Sequence, residues 1–115
     1  MDRVVSRLYD ILQAIADIRS PLSSKTSEDL SEDRAVKAAL ERFIEIISEA
    51  SRHIPPAEKA NYPSIPWQQI AGIGNHIRHA YNRVDPNILW STYRHDLDPL
   101  ESAVRAILVA RPKEP

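Results

Sequence analysis

Cysteine is absent from this chain, which excludes disulfide frameworks, cysteine zinc sites, iron–sulfur clusters and thiol chemistry. Glycine is nearly absent: the only two are Gly72 and Gly74. A Rossmann fingerprint or a P-loop needs a glycine-rich turn after a strand, and none can be built here. Few glycines together with 6% aromatics also argue against an all-β fold. No apolar run approaches the ~20 residues of a membrane span, and the N-terminal stretch is amphipathic with no signal-peptide pattern. The expectation is a soluble, cytoplasmic protein with no membrane partner. Neither charge sign dominates: Lys plus Arg number 15, Asp plus Glu 16, for a net charge of −1. A grossly basic nucleic-acid coat and an acidic tail are excluded, while a local basic site is not.

What is present is an ordinary globular composition, 43% hydrophobic and 27% charged over 115 residues, enough for one core and one domain spanning 1–115. Apolar residues recur with helical period. Val4, Leu8, Ile11, Ile15 and Ile18 predict a helix over 2–19, ended by Pro21. The Ser-rich stretch 20–30 lacks periodicity and reads as a loop. Val36, Leu40, Phe43, Ile47, Ala50 and Ile54 define a second long helix, with Ser31 as its expected N-cap and Pro55-Pro56 as its stop. Segment 28–58 carries eight acidic and four basic residues, so its outer face is a poor place for an anion. Residues 55–66 contain four prolines and read as a connector with one helical turn at 57–61. A third long helix is expected over 66–84. Asp85-Pro86 and Asp98-Pro99 each read as an N-cap followed by a first helical residue. The C-terminal part is therefore one bent helix or two pieces. The fold class is all-α, a bundle of four to five helices.

Chemistry concentrates on helix 66–84. At 100° per residue, Ile70, Ile73, Ile77, Ala80 and Val84 share one arc, the expected core face. Asn75, Arg78, His79 and Asn82 stand on the opposite face, with His76 on one flank and Tyr81 on the other. An imidazole can act as general acid or base near neutral pH, and a guanidinium can neutralise charge growing on a phosphorane-like transition state. An amide can orient a hydroxyl or a phosphate oxygen. Together they suit metal-independent RNA cleavage, with the substrate's own 2′-OH as nucleophile. No Asp or Glu lies between Trp67 and Val84, and a His pair at i, i+3 without a third ligand predicts neither metal nor cofactor. The bland alternative is a solvated polar helix face. Gly72 and Gly74 each cost about 1 kcal/mol relative to Ala inside a helix. They mark a loose helix or the close approach of another backbone, such as a second subunit or a nucleotide.

The run from Pro63 to Asp85, with Pro66-Trp67, Gly72, Asn75, His79, Tyr81 and Val84-Asp85 as its landmarks, resembles the signature region of HepT-like proteins of the HEPN superfamily, small helical ribonuclease toxins. Leu40 to Ala50 is similar to a further helix of that family, with Ser48 where glycine is usual. Leu89-Trp90 and Asp96-Leu97-Asp98-Pro99-Leu100 also fit. The resemblance implies a HEPN-type helical bundle that dimerises and lines a shared cleft with two copies of the motif. The family motif runs Arg-Asn, three residues, His, one residue, Tyr. Asn75, His79 and Tyr81 match it, and Gly74 stands where the catalytic arginine is expected. Arg78, one helical turn further on, is the nearby guanidinium. The resemblance further implies a minimal nucleotidyltransferase antitoxin that transfers AMP from ATP to the motif tyrosine, here Tyr81, and so silences the toxin.

Three readings follow. The first is a ribonuclease toxin in which His79 is the acid/base, Arg78 the phosphate and transition-state group, Asn75 the positioning group, His76 an auxiliary and Tyr81 the modification target. The second is a catalytically degenerate HEPN binding protein, partner or substrate of a nucleotidyltransferase. The third is a structural dimerisation module.

Overall fold

The computed structural model describes residues 2–80 and 84–111, and every described regular element is helical. The chain runs through α1 (Arg3–Leu22), α2 (Ser27–Glu32), α3 (Arg34–Ser51), α4 (Pro56–Lys59), α5 (Trp67–Ala80), α6 (Pro86–Ser91) and α7 (Leu97–Ala110). A π-helical turn, Thr92–Asp96, joins α6 to α7 without a break. The all-α expectation holds.

Helix α1 presents Leu8, Ile11, Ala14, Ile15, Ile18 and Leu22 to the core. It packs against α3 and α7, while α5 also packs on α3. Pro21 does not end α1 as expected; it lies inside the last turn. Only one ladder N–H is lost there, Leu22 still gains burial, and Ser23 N–H bonds the Arg19 carbonyl at 3.0 Å. Tyr93 Oη donates to the Leu22 carbonyl at 3.3 Å, fastening that helix end to the π turn.

The expected loop at 20–30 contains the start of α2. Thr26 and Asp29 form a reciprocal capping box, and Leu30 buries beneath it. Helix α3 then starts later than the expected Ser31 cap. Asp33 is its N-cap, accepting from the N–H groups of Ala35 at 3.0 Å and Val36 at 3.2 Å. Its helical residues end at Ser51, though Ile54 remains buried just beyond.

Asp85 caps α6 as expected, accepting from Asn87 N–H at 2.9 Å. Asp98-Pro99 does not start a second piece. Both lie in the first turn of α7 within a continuous helical path. The π turn just before them already interrupts the i→i−4 ladder, so the missing proline N–H removes little. Ion pairs secure the ends of the bundle. Arg19 on α1 meets Glu101 of α7 at 2.7 Å and also pairs with Asp98. Arg111 pairs with Asp2 at 2.9 Å and with Glu58 of α4. No helix among the described residues is long and apolar enough to cross a membrane.

Candidate functional site

Helix α5 carries Asn75, His76, Arg78 and His79, and how α3 packs on it decides where each one faces. The buried residues of α5 are Ile70, Gly74 and Ile77, while Ile73 and Ala80 are half-buried. The buried arc is thus rotated by about 45° from the one expected, toward Gly74. The cause is Ser48 of α3, itself 1% exposed. Its hydroxyl donates to the Ala71 carbonyl at 2.9 Å and accepts from Gly74 N–H at 3.1 Å. A Cβ on Gly74 would stand 2.6 Å from Ser48 Oγ and 3.0 Å from Ser48 Cβ. Only a glycine lets α5 approach α3 this closely. Arg52, one turn beyond Ser48, also donates Nη2 to the Ala71 carbonyl at 3.1 Å.

Arg78 extends back along α5 over that glycine. Its Nη1 lies 3.4 Å from where a Gly74 Cβ would be, so the guanidinium occupies ground that a side chain at position 74 would take. It donates to Asn75 Oδ1 and faces Glu45 of α3 at 3.7 Å. These contacts hold it at the edge of a groove between α1, α3 and α5 that also contains Arg7, Asp10, Arg42 and Glu49. Charges of both signs alternate there, so the groove offers a partly neutralised cation to a phosphate.

The structure therefore joins two of the predicted residues, Asn75 and Arg78, in one bonded pair. His79 is exposed and makes no hydrogen bond to another described residue. As the residue after Arg78 it lies 100° further round the helix, away from Glu45. His76 faces elsewhere again, into an apolar cleft of about 440 Å³ between α5 and the C-terminal helices. Ile44, Ile47, Ile70 and Leu100 line its floor, and Gln69, His76 and Asp96 are among its polar groups. Burial pushes the Asp96 carboxyl above the usual carboxylate range. Tyr81 and Asn82 lie outside the described residues.

Sequence reasoning missed the Ser48–Gly74 interlock, although both halves were visible as departures from the family's pattern. It also missed Glu45, whose place opposite Arg78 depends on the α3–α5 register, and Asp96, whose direction depends on the π turn. Among the described residues, no three His, Asp or Glu groups are placed to share a metal ion.

An imidazole and a guanidinium thus stand exposed on one helix of an all-α bundle. A family model described as "Ribonuclease HepT-like" matches residues 11–107, and the chain belongs to this HepT-like family of the HEPN group. It is similar to "Probable ribonuclease HepT" of Thermococcus cleftensis, 37% identical over 94 residues that cover 82% of this chain and 86% of that protein. It is also similar to "Putative RNase MJ1216" of Methanocaldococcus jannaschii, 31% identical over 101 residues, 88% of this chain and 84% of that one. No solved structure matches the chain significantly.

Proposed function

We propose that this protein is a metal-independent endoribonuclease toxin, acting in a cleft formed between two copies of the chain and silenced by a nucleotidyltransferase partner. The observation that carries the reading is the pairing of Arg78 with Asn75 on the exposed side of α5, one residue from an open imidazole at His79. Family membership and the names of the relatives support the reaction class.

In this mechanism the His79 imidazole removes the 2′-OH proton. The resulting oxygen attacks the adjacent phosphorus, and the P–O5′ bond breaks. The departing 5′ oxygen takes a proton from an imidazolium, leaving a 2′,3′-cyclic phosphate. Two copies bring two imidazoles, so base and acid need not be the same group. Arg78 neutralises charge on the phosphoryl oxygens after releasing or sharing Glu45, and Asn75 holds its guanidinium in place. His76 assists from the cleft side. Silencing follows when the Tyr81 phenol oxygen attacks the α-phosphorus of ATP, with pyrophosphate leaving. The added phosphate would bring negative charge to a site built for another phosphate.

The test is cleavage of RNA in EDTA by the purified protein. The wild type should cut. His79→Ala should abolish cutting without changing the melting temperature, and Arg78→Ala should lower the rate by about 10²-fold. Activity that needs added metal, or that survives His79→Ala, defeats the mechanism. A second reading, a degenerate binding protein, draws on Gly74 and on the engagement of Arg78 by Glu45. Expression alone separates the two, because a toxin arrests growth and a binder does not. Incubation with the nucleotidyltransferase and ATP should add AMP mass at Tyr81 under both readings.

A further inference from the structure

The chemistry above uses the cleft beside His76 only through that imidazole, yet the composition of the cleft is specific. Its floor is aliphatic, formed by residues of α3, α5 and α7. At about 440 Å³ it lies within the size range of small-molecule sites. Gly72 forms part of its wall, and apart from the adjoining backbone of its own helix no described heavy atom lies within 4 Å of where a Cβ would stand there. The wall is therefore flat and open. Asp96 closes the π turn and lines the same cleft, and π turns inside α-helices often re-aim a side chain at a functional site. The Asp96 carboxylate is half-buried, and no Arg or Lys is among the described residues lining the cleft. No described residue donates it a hydrogen bond through a side chain, although its neighbour His95 lowers the cost of its charge somewhat. Such a carboxylate gains most from a ligand that brings N–H donors into an apolar slot.

His76, which lines the cleft, lies one helical turn before His79. Gly72, His76 and His79 stand at i, i+4 and i+7, a single stripe along α5. From Gly72 to His79 the helix rises roughly 10 Å, and from His76 to His79 roughly 4.5 Å. A flat group seated at Gly72 and His76 would have its attached backbone running toward His79. RNA supplies such a group, because unstacked bases are read by packing on their faces and by hydrogen bonds along their edges. Guanine carries two adjacent N–H donors, N1–H and N2–H, on its Watson–Crick edge, and these match the two oxygens of one carboxylate.

We propose that this cleft takes a guanine base of the RNA, donating N1–H and N2–H to Asp96 and lying flat over Gly72. The assignment rests on the ribonuclease reading and makes the enzyme base-selective next to the cut. Asp96 is a specificity-determining residue and takes no part in the phosphoryl step.

The test reads binding and cutting separately. The four ribonucleoside 5′-monophosphates are titrated into the intact protein while its amide resonances are followed. GMP should bind about tenfold or more tightly than AMP, CMP or UMP and shift the amides of Gly72, His76 and Asp96. Asp96→Asn should bring the four affinities together at an unchanged melting temperature. Gly72→Ala should weaken GMP severalfold while leaving the helix at least as stable. Equal affinities for all four, or shifts elsewhere, overturn the assignment. So does a second copy of the chain that protects the Gly72 and Ile88 amides and keeps GMP out. In parallel, oligonucleotides that differ in one base beside the scissile bond are cut. Cutting without guanine preference removes the cleft assignment and leaves the ribonuclease reading standing. GMP selectivity without any cutting does the reverse.

Discussion

The two glycines sit two residues apart on one helix and do opposite things. Gly74 is pinched, its missing Cβ replaced by a hydroxyl and a carbon of Ser48. A Cβ on Gly72 would meet no described atom within 4 Å beyond its own helix backbone, and the residue opens onto a cleft. Both pay the same backbone entropy as helical glycines. At Gly74 the return is close packing of α5 on α3 and two hydrogen bonds through one buried hydroxyl. At Gly72 the fold receives no such return, which points to something outside the folded monomer. A glycine that packing demands and a glycine that packing does not explain can thus be told apart by geometry alone.

The largest break of this contrast is Gly74→Arg. The new Cβ collides with Ser48, and the side chain competes with Arg78 for the same ground, so urea unfolding should show a loss of about 2–4 kcal/mol. Pairing it with Ser48→Gly removes both colliding atoms and should recover much of that loss. The double-mutant cycle measures the coupling directly, and strict additivity would deny that the two positions interlock. Next comes Gly74→Ala. Better helix propensity offsets part of the clash, leaving a net loss of about 1 kcal/mol or somewhat more. The mirror experiment, Gly72→Ala, should raise stability by about 0.5–1 kcal/mol in the same assay, since the methyl group meets open space. A loss there would show that Gly72 is packed after all.

The smallest expected effect lies at the ion pair between α1 and α7. The Arg19 guanidinium, bonded to Glu101, holds that carboxyl below the usual carboxylate range. A carboxyl depressed in the folded state stabilises fully above its unfolded value, near pH 4.3, and loses that contribution as pH falls through its lowered folded value. Burial acts on Asp96 in the opposite sense, favouring the fold at low pH. Glu101→Gln should therefore flatten part of the decline in urea midpoint below about pH 4.5 and leave the two glycine effects unchanged.

Much of the fold was legible because it rests on periodicity. The stripe through Leu40, Ile47 and Ala50 marked α3, and all three are buried. Asp85-Pro86 announced a helix start that the Asp85 carboxylate does cap. The misses share a cause, local chemistry read without its surroundings. Thr26 and Asp29 formed a capping box inside a stretch that looked like a loop, because six helical residues with one buried Leu30 are too short to show a period. Pro21 looked like a stop and Asp98-Pro99 like a fresh start, and each proline fell where the helical ladder had little left to lose. On the chemically interesting face of α5, the described residues Asn75, Arg78 and His79 are exposed as read. Which way each side chain on it turns was not legible, because a neighbouring helix and its serine set that rotation. The dissimilar fates of Arg78, tied to Asn75 and Glu45, and His79, free of described partners, lie beyond any pattern in one strand of sequence.

The π turn at Thr92–Asp96 fits one more residue into its length than an α-helix would. Upstream of it, Leu89 points into the core, and downstream Leu97 and Leu100 do so as well. Closing this segment into ordinary helix with all its residues kept would lengthen it by roughly 1.5 Å and twist everything after it by about 100°. Leu97 and Leu100 would then swing toward water. The C-terminal third of the molecule is therefore phased by one wide turn, which takes up a spare residue and hands the next helix on with its apolar side inward.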